Sequence, residues 1–275
     1  MLEKFKYINH LGEVLEFGTG SLFANENELH NYEWEVLTIG DKISSFKRGI
    51  VSKSIPVLIK CDTAEKGVEM RNRIFEIAEK DVLANKPGKI VINDAYLKCF
   101  VVGSSKSEYL IHKQYMRIDL NIQTDSPGWI QEEKYSFRLQ ELEKDSAFLN
   151  YPHGFLFDYG NSLSIREIRN AVFNESDFEM IIYGAVVNPI INIGGNVYAV
   201  NVEIASNEYL TIDSMNKTIF LTKNTGEKVN CFNLRSRENY VFAKIPAGNH
   251  VISSSNSRLN FDIILKHERS EPKWI

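Results

Sequence analysis

Val197-Tyr198-Ala199-Val200-Asn201-Val202-Glu203-Ile204 alternates broadly apolar with polar residues, and Tyr209-Leu210-Thr211-Ile212-Asp213 does so again. A tight turn at Met215-Asn216-Lys217 leads into Thr218-Ile219-Phe220-Leu221-Thr222, and Asn224-Thr225-Gly226 supplies the next turn. Pro246, Gly248 and Asn249 then precede His250-Val251-Ile252. Successive side chains of a strand point to opposite faces, so a period of two marks one buried and one solvated face. Gly, Pro and Asn at short intervals fold such runs into hairpins. Tyr183 to Ile252 therefore predicts an antiparallel β-sandwich. Gly194-Gly195 before Asn196 reads as a hairpin turn. No nucleophile, metal or phosphate motif is embedded in this stretch.

Working back towards the N-terminus, strands continue but surround one helix. Asp62-Thr63-Ala64-Glu65 resembles a capping box, with a carboxylate three residues after an Asx-type cap. Met70, Ile74, Ile77, Ala78 and Val82 then recur at three- and four-residue steps, with Glu69, Arg73, Glu76 and Lys80 on the other face. Asn85-Lys86-Pro87-Gly88 ends the helix. Ile55–Lys60, Lys89–Ile92 and Leu97–Val102 read as strands, and Met116 to Gln123 alternates most cleanly of all. The expected fold class is mainly β: a β-rich α+β N-terminal domain with one helix, then a jelly-roll type β-sandwich.

The turn cluster Asp125-Ser126-Pro127-Gly128 and the polar Gln131-Glu132-Glu133-Lys134 suggest a boundary. The expected organisation is a domain over 1–130, a connector over 131–154 and the sandwich over 155–275.

The 275 residues hold 43% apolar and 25% charged residues, an ordinary soluble composition with room for two cores. No apolar run is long enough to cross a membrane as a helix. Met1-Leu2-Glu3-Lys4-Phe5-Lys6 lacks the apolar core of a signal peptide, so synthesis in a cytoplasm is expected. Lys+Arg number 32 against 36 Asp+Glu, and neither half is basic, which argues against a duplex-binding stripe. Three cysteines, Cys61, Cys99 and Cys231, form no CxxC pair and are read as small buried apolar residues. Six scattered histidines lack metal-ligand spacing. Gly18-Thr19-Gly20 lacks the third glycine and the helix of a dinucleotide fingerprint, and GxSxG is absent. The expectation is no catalytic residue, no cofactor and no metal. Acidic residues such as Asp158, Glu175, Asp177, Glu179 and Asp213 are more simply solvated strand faces and loop caps than a glycosidase pair. The aromatics at Phe155, Phe157 and Tyr159 leave a sugar-binding platform open as a second reading.

A further segment, Thr38 to Phe46, sits between strand candidates and carries spaced apolar residues around a flexible Gly40. An extended hairpin or arm there can reach a neighbouring subunit and bury Ile39, Ile43 and Phe46, the expected subunit-interface residues.

Several of these stretches together resemble the distal tail proteins of siphophages. They are Gly12–Phe17, Trp34-Glu35, Ser45-Phe46-Lys47-Arg48, the helix with Asp81–Ile90, and Tyr96–Phe100. In the second half they are Gly184 to Asn188-Pro189, Asn196-Val197-Tyr198, Leu210–Asp213 and Ile245–Asn249. Each motif is soft; their order and spacing carry the likeness along nearly the whole chain. The resemblance implies a structural virion protein at the tail tip of a long non-contractile-tailed phage or prophage. It implies a hexameric ring built by the N-terminal domain and stacked on the tail tube protein. It implies an outward galectin-like sandwich that docks a receptor-binding or baseplate protein, with a tail-associated lysin or tip protein as a further neighbour. No enzymatic activity, membrane contact or specific nucleic-acid binding is expected. The alternative is a carbohydrate-binding adhesion module acting through the C-terminal sandwich.

Overall fold

The structure is a computed structural model that describes residues 3–111, 115–138, 166–254 and 259–274. It is mainly β with one helix among the described residues, and its chain divides into two compact units. Unit 1 comprises Met1–Gln131 and Glu268–Ile275; unit 2 comprises Glu132–His267.

Unit 1 contains β1 (Phe5–Ile8), β2 (Val14–Phe17), β3 (Leu22–Phe23), β4 (Glu35–Ile39), β5 (Lys42–Lys47), β6 (Val51–Lys60), α1 (Ala64–Ala84), β7 (Gly88–Ile92), β8 (Ala95–Ile111), β9 (Tyr115–Thr124) and the start of β10 (Trp129–Phe137). Their order is β10-β8-β7-β1-β2, with β8 also pairing β9, then β6, then β3. The long β8 changes partner along its length: its first residues pair with β7, and from Phe100 onward it pairs with β9. β9 alternates as expected, with Met116, Ile118, Leu120 and Ile122 buried. Their side chains join Phe5, Phe17, Leu97 and Trp129 in the core of this unit.

α1 is capped by Thr63, whose Oγ1 accepts from the Lys66 amide at 3.3 Å, one residue later than the Asp62 cap expected. Asp62 instead pairs with Lys66 on the surface. Asn85 closes the helix in the left-handed conformation. The buried face holds Ile74, Ile77 and Ala78, but the stripe ends differently from the expected one: Val82 is 45% exposed and Asp81 is buried in its place. The reason is polar. Tyr7 Oη donates to Asp81 Oδ2 at 2.5 Å, and the His10 amide donates to Asp81 Oδ1 at 2.8 Å. A buried carboxylate is tolerated when its oxygens are satisfied in this way. Burial, and the bond to Asp81, push the Tyr7 hydroxyl far above the usual tyrosine range. Gly88, expected only as part of the helix stop, is a packing requirement: a Cβ there would collide with both Tyr7 Oη and Asp81 Oδ2. Gly88→Ala is expected to cost about 1–3 kcal/mol by this overpacking. A melting point equal to wild type would show that the β1–α1 lock yields freely.

Unit 2 contains the remainder of β10, then β11 (Arg166–Asn170), β12 (Asp177–Tyr183), β13 (Val186–Val187), β14 (Ile190–Ile193), β15 (Asn196–Ala199), β16 (Glu203–Ile204), β17 (Tyr209–Asp213), β18 (Thr218–Thr222), β19 (Lys228–Asn230), β20 (Gly248–Ser254) and β21 (Phe261–Arg269). One sheet runs β19-β18-β17-β12-β21 and a second runs β11-β20-β14-β15. The small β13–β16 pair stands beside them. Inward residues of both sheets, including Phe178, Ile193, Tyr198, Ile212 and Phe261, form one core, as a sandwich requires. The Gly194-Gly195 turn joins β14 to β15 with both glycines at positive φ, the geometry of a tight two-residue hairpin. The alternating run 197–204 is split by residues 200–202, so it forms β15 and β16 rather than one strand.

Several charges in unit 2 are buried in pairs. Lys266 Nζ lies 3.0 Å from Asp213 and 3.2 Å from Glu179. Desolvation alone would raise the Asp213 pKa, but the Asn216 amide and Lys266 outweigh it and hold the carboxyl below its ordinary value. Desolvation likewise opposes the charge on Lys266, and Asp213 outweighs it, so its pKa is raised. A depressed acid contributes stability above its ordinary pKa of 3.8 and loses it as pH falls below. A raised base contributes below its ordinary 10.5 and loses it as pH rises beyond. This cluster is thus expected to support unit 2 between those limits. Lys266→Ala leaves Asp213 facing Glu179 unpaired and is expected to cost about 3 kcal/mol, the low end for breaking a buried pair because Glu179 is partly solvated. Thermal melts across pH check both statements; a variant as stable as wild type would refute them.

All three cysteines are free; Cys99 and Cys231 are buried and Cys61 is half-buried. Burial pushes the Cys99 thiol up to about 12, an inert state. Of the stretch 131–154, read as connector, residues 131–137 are strand in β10, and 139–165 lie outside the described residues. The chain enters unit 2 through β10 and leaves it through β21, whose last residues return to unit 1. There Glu268 pairs with Arg48 at 3.2 Å and Trp274 stacks on His30.

Candidate functional site

Among the described residues, β4 and β5 pair only with each other. Gly40, at φ 61°, makes the turn between them. Every residue of both strands is exposed, including Ile39 at 76%, Ile43 at 62% and Phe46 at 57%. The three residues named from sequence therefore share one hairpin, and the structure leaves all three in solvent. A two-stranded ribbon with no third strand and no covering layer is marginal by itself. Both of its outer edges also offer unpaired backbone groups.

Register decides how its side chains are distributed. Val36 pairs with Phe46 and Leu37 with Ser45, then the register shifts so that Thr38 pairs with Ile43. Ser44 is the extra residue of a bulge. Without it, Ile43 and Phe46, three residues apart, would face opposite ways. With it, Val36, Ile43 and Phe46 share one face, and Leu37 and Ile39 take the other. The sequence reading missed Val36, Leu37 and the bulge. The apolar alternation of Leu37 and Ile39 is legible in the sequence, whereas the bulge follows from no local signal in Ile43-Ser44-Ser45-Phe46.

At its base the arm is braced from unit 1. Lys47 pairs with Glu35 across the strands at 3.3 Å. The Arg48 guanidinium lies 4.2 Å over the Trp34 ring while also reaching Glu268. The exposed Lys47–Glu35 pair contributes little to stability. The Arg48–Trp34 stack sets the direction in which the hairpin leaves the core.

Among the described residues, the polar clusters do not form a comparable site. His267 Nδ1 lies 2.9 Å from Ser176 Oγ and its Nε2 lies 3.1 Å from Glu133, a Ser-His-Glu arrangement on paper. Its serine is the buried end, bonded to Asn170, and its carboxylate is the half-exposed end. A nucleophile needs the opposite order, because the substrate must reach Oγ. Asp177 is held by Ser214 and Lys244, and Glu179 and Asp213 share Lys266. Asp262, without solvent exposure, is clasped by Lys134, Arg138 and the Tyr183 hydroxyl. Desolvation would raise its pKa, yet the Arg138 and Lys134 bonds hold it well below the carboxylate range. These are interior pairs of a sandwich. Among the described residues, no three His, Cys, Asp or Glu side chains gather as metal ligands. Asp158 and the aromatics Phe155, Phe157 and Tyr159 lie outside the described residues.

No family model and no curated protein sequence matches the chain. Solved structures do. The SPP1 Dit (gp 19.1) protein, described as a paradigm of the hub adsorption apparatus in Gram-positive infecting phages, aligns at a TM-score of 0.60 and 8% identity, over 96% of this chain and 99% of its own. The phage P2 baseplate in its activated conformation with Ca aligns at 0.61 and 13% identity, over 99% and 100%. The phage p2 baseplate with Sr aligns at 0.64 and 12% identity, over the same shares. From end to end, then, this chain has the fold of a phage distal tail protein, shared with known hub and baseplate structures.

Proposed function

We propose that the chain is a structural component of a phage or prophage tail tip, a hub subunit that assembles into a hexameric ring through unit 1. In this reading unit 2 presents its sandwich outward to baseplate or receptor-binding proteins, and the ring joins the tail tube protein to a tail-associated lysin or tip protein. The observation that carries it is the β4–β5 arm: five apolar side chains in water on a ribbon that no other described part of its own chain covers. A monomer gains nothing from this arrangement. A closed ring covers the arm of every subunit at once. The outward face of β6, β9 and β8 supports the same reading. Ser52, Ser54, Asn121, Gln123 and Ser105 give it small polar side chains, and its charges, Lys60, Arg117 and Asp119, are of mixed sign. Such a wall suits a conduit that must let nucleic acid pass without gripping it.

The purified full chain is expected to elute at several times 31.6 kDa and to appear as rings in negative stain. A strictly monomeric protein at high micromolar concentration would remove the ring from this reading. With the ring gone, an adhesion module acting through unit 2 would be the reading left.

A further inference from the structure

We propose that unit 2 carries a binding site for anionic saccharides, in the cleft of about 550 Å3 between the β17–β18 turn and the 232–242 loop. Three aromatic rings shape it. Phe242 is buried and forms the floor; the Phe232 ring lies 5.9 Å from it at 21° and the Tyr240 ring 5.9 Å from it at 75°. Tyr240 thus stands as a wall across the floor, and its side chain is 58% exposed. Two cations lie over these rings and a third stands at the opening. Lys217 Nζ lies 5.3 Å from the Tyr240 centroid and 5.8 Å from that of Phe242. The Arg235 guanidinium lies 3.9 Å over Phe232 and donates to the Phe232 carbonyl at 2.7 Å. Arg237 lines the opening. Among the described residues no carboxylate pairs with any of the three, and Glu238 is the one acid in the lining.

Each part selects a feature of the ligand. An exposed aromatic wall matches the apolar C–H face of a pyranose. Arginine and lysine without acidic partners match a phosphate or carboxylate on that sugar, which forms charge-assisted bonds with them. Ser236 and Asn239 add hydroxyl-bonding groups at the same opening. An acidic peptide fits less well. Peptides dock most readily by adding a strand to an open edge, and this lining is a closed loop. Its amides at Leu234, Ser236 and Ala243 already donate to Cys231, Ala199 and Tyr240 carbonyls. The site stands whether or not the chain forms a ring.

Titration calorimetry on the full-length protein tests it, with glucose 1-phosphate, glucuronate, glucose, inorganic phosphate and a tetraglutamate peptide as probes. Both anionic sugars are expected to bind at one site per chain and to weaken with added salt. Glucose, neutral galactosides and inorganic phosphate are expected to bind at least about tenfold less tightly, since each lacks one of the two matched features. Tyr240→Ala and Arg237→Ala are each expected to weaken the sugar phosphate by about tenfold without moving the melting point, because both side chains are exposed. Four results would overturn the proposal. They are no binding of either anionic sugar, equal binding of inorganic phosphate, tighter binding of the peptide, and sugar binding indifferent to Tyr240→Ala.

Discussion

A chain carrying Ile43→Asp and Phe46→Asp together is expected to run as a monomer that melts where the wild type's unassembled subunit melts. Both side chains sit on one face of the β4–β5 arm and are mostly in water in the isolated subunit, so removing them costs the subunit almost nothing. In a ring they lie against a neighbour. Full burial of each contributes about 1.5–3 kcal/mol, so a docked face loses about 3–6 kcal/mol per contact. That is roughly two to four powers of ten in each association constant. Burying the new carboxylates adds a further desolvation cost. Sedimentation velocity over a concentration series measures the effect. Ile39→Asp, on the opposite face of the hairpin, tells which face docks: a large effect there and none from the pair would reverse the assignment. Rings of wild-type stability from both variants would show that the arm is not the contact.

The second large effect is on folding. Ile74→Asp places a carboxylate at a position 1% exposed, at the centre of the α1 face that packs on unit 1. Its neighbours in that core include the apolar Phe5, Leu15, Phe17, Ile55 and Ile90. The lost transfer energy and the buried charge together exceed about 4 kcal/mol. For a unit of this size that lowers the melting point by about 10 °C or more. Differential scanning calorimetry checks it, and a shift of a degree or two would mean that α1 is not packed as described. Val82→Asp, two residues short of the helix end on the half-exposed side, makes the control: it changes the same kind of residue with little expected loss.

These two positions differ in how far the sequence reveals them. Ile74 is legible because a helical period of 3.6 leaves a stripe that only a core can use. The same rule misplaced Val82, since the last turn of α1 is set by Asp81 and its partner Tyr7, 74 residues away in sequence. Hydrophobic period sees apolar residues, and it is blind to a buried carboxylate whose donors come from another strand. Gly88 is similar. Read locally it stops a helix; in the fold it makes room for that same hydrogen bond. The arm divides the same way. Ile39, Ile43 and Phe46 around Gly40 announce a hairpin, but which face each takes depends on the Ser44 bulge, and alternation alone gives the wrong answer there.

From residue order alone came the antiparallel strands, the hairpin turns at Asn and Gly, the single long helix and the exposed arm. All of these rest on local periods of two or 3.6 and on backbone conformations that few residues tolerate. The tertiary structure alone decided that residues 268–274 belong with the first unit, that β8 changes partner at Phe100, and that acids spread across the sequence are interior partners of Lys134, Arg138, Lys244 and Lys266. It also decided that Lys217 meets Tyr240 and Phe242 across more than twenty residues. Those facts depend on which distant segments meet, and the free energy that selects them comes from burial and charge pairing between segments rather than from any one of them.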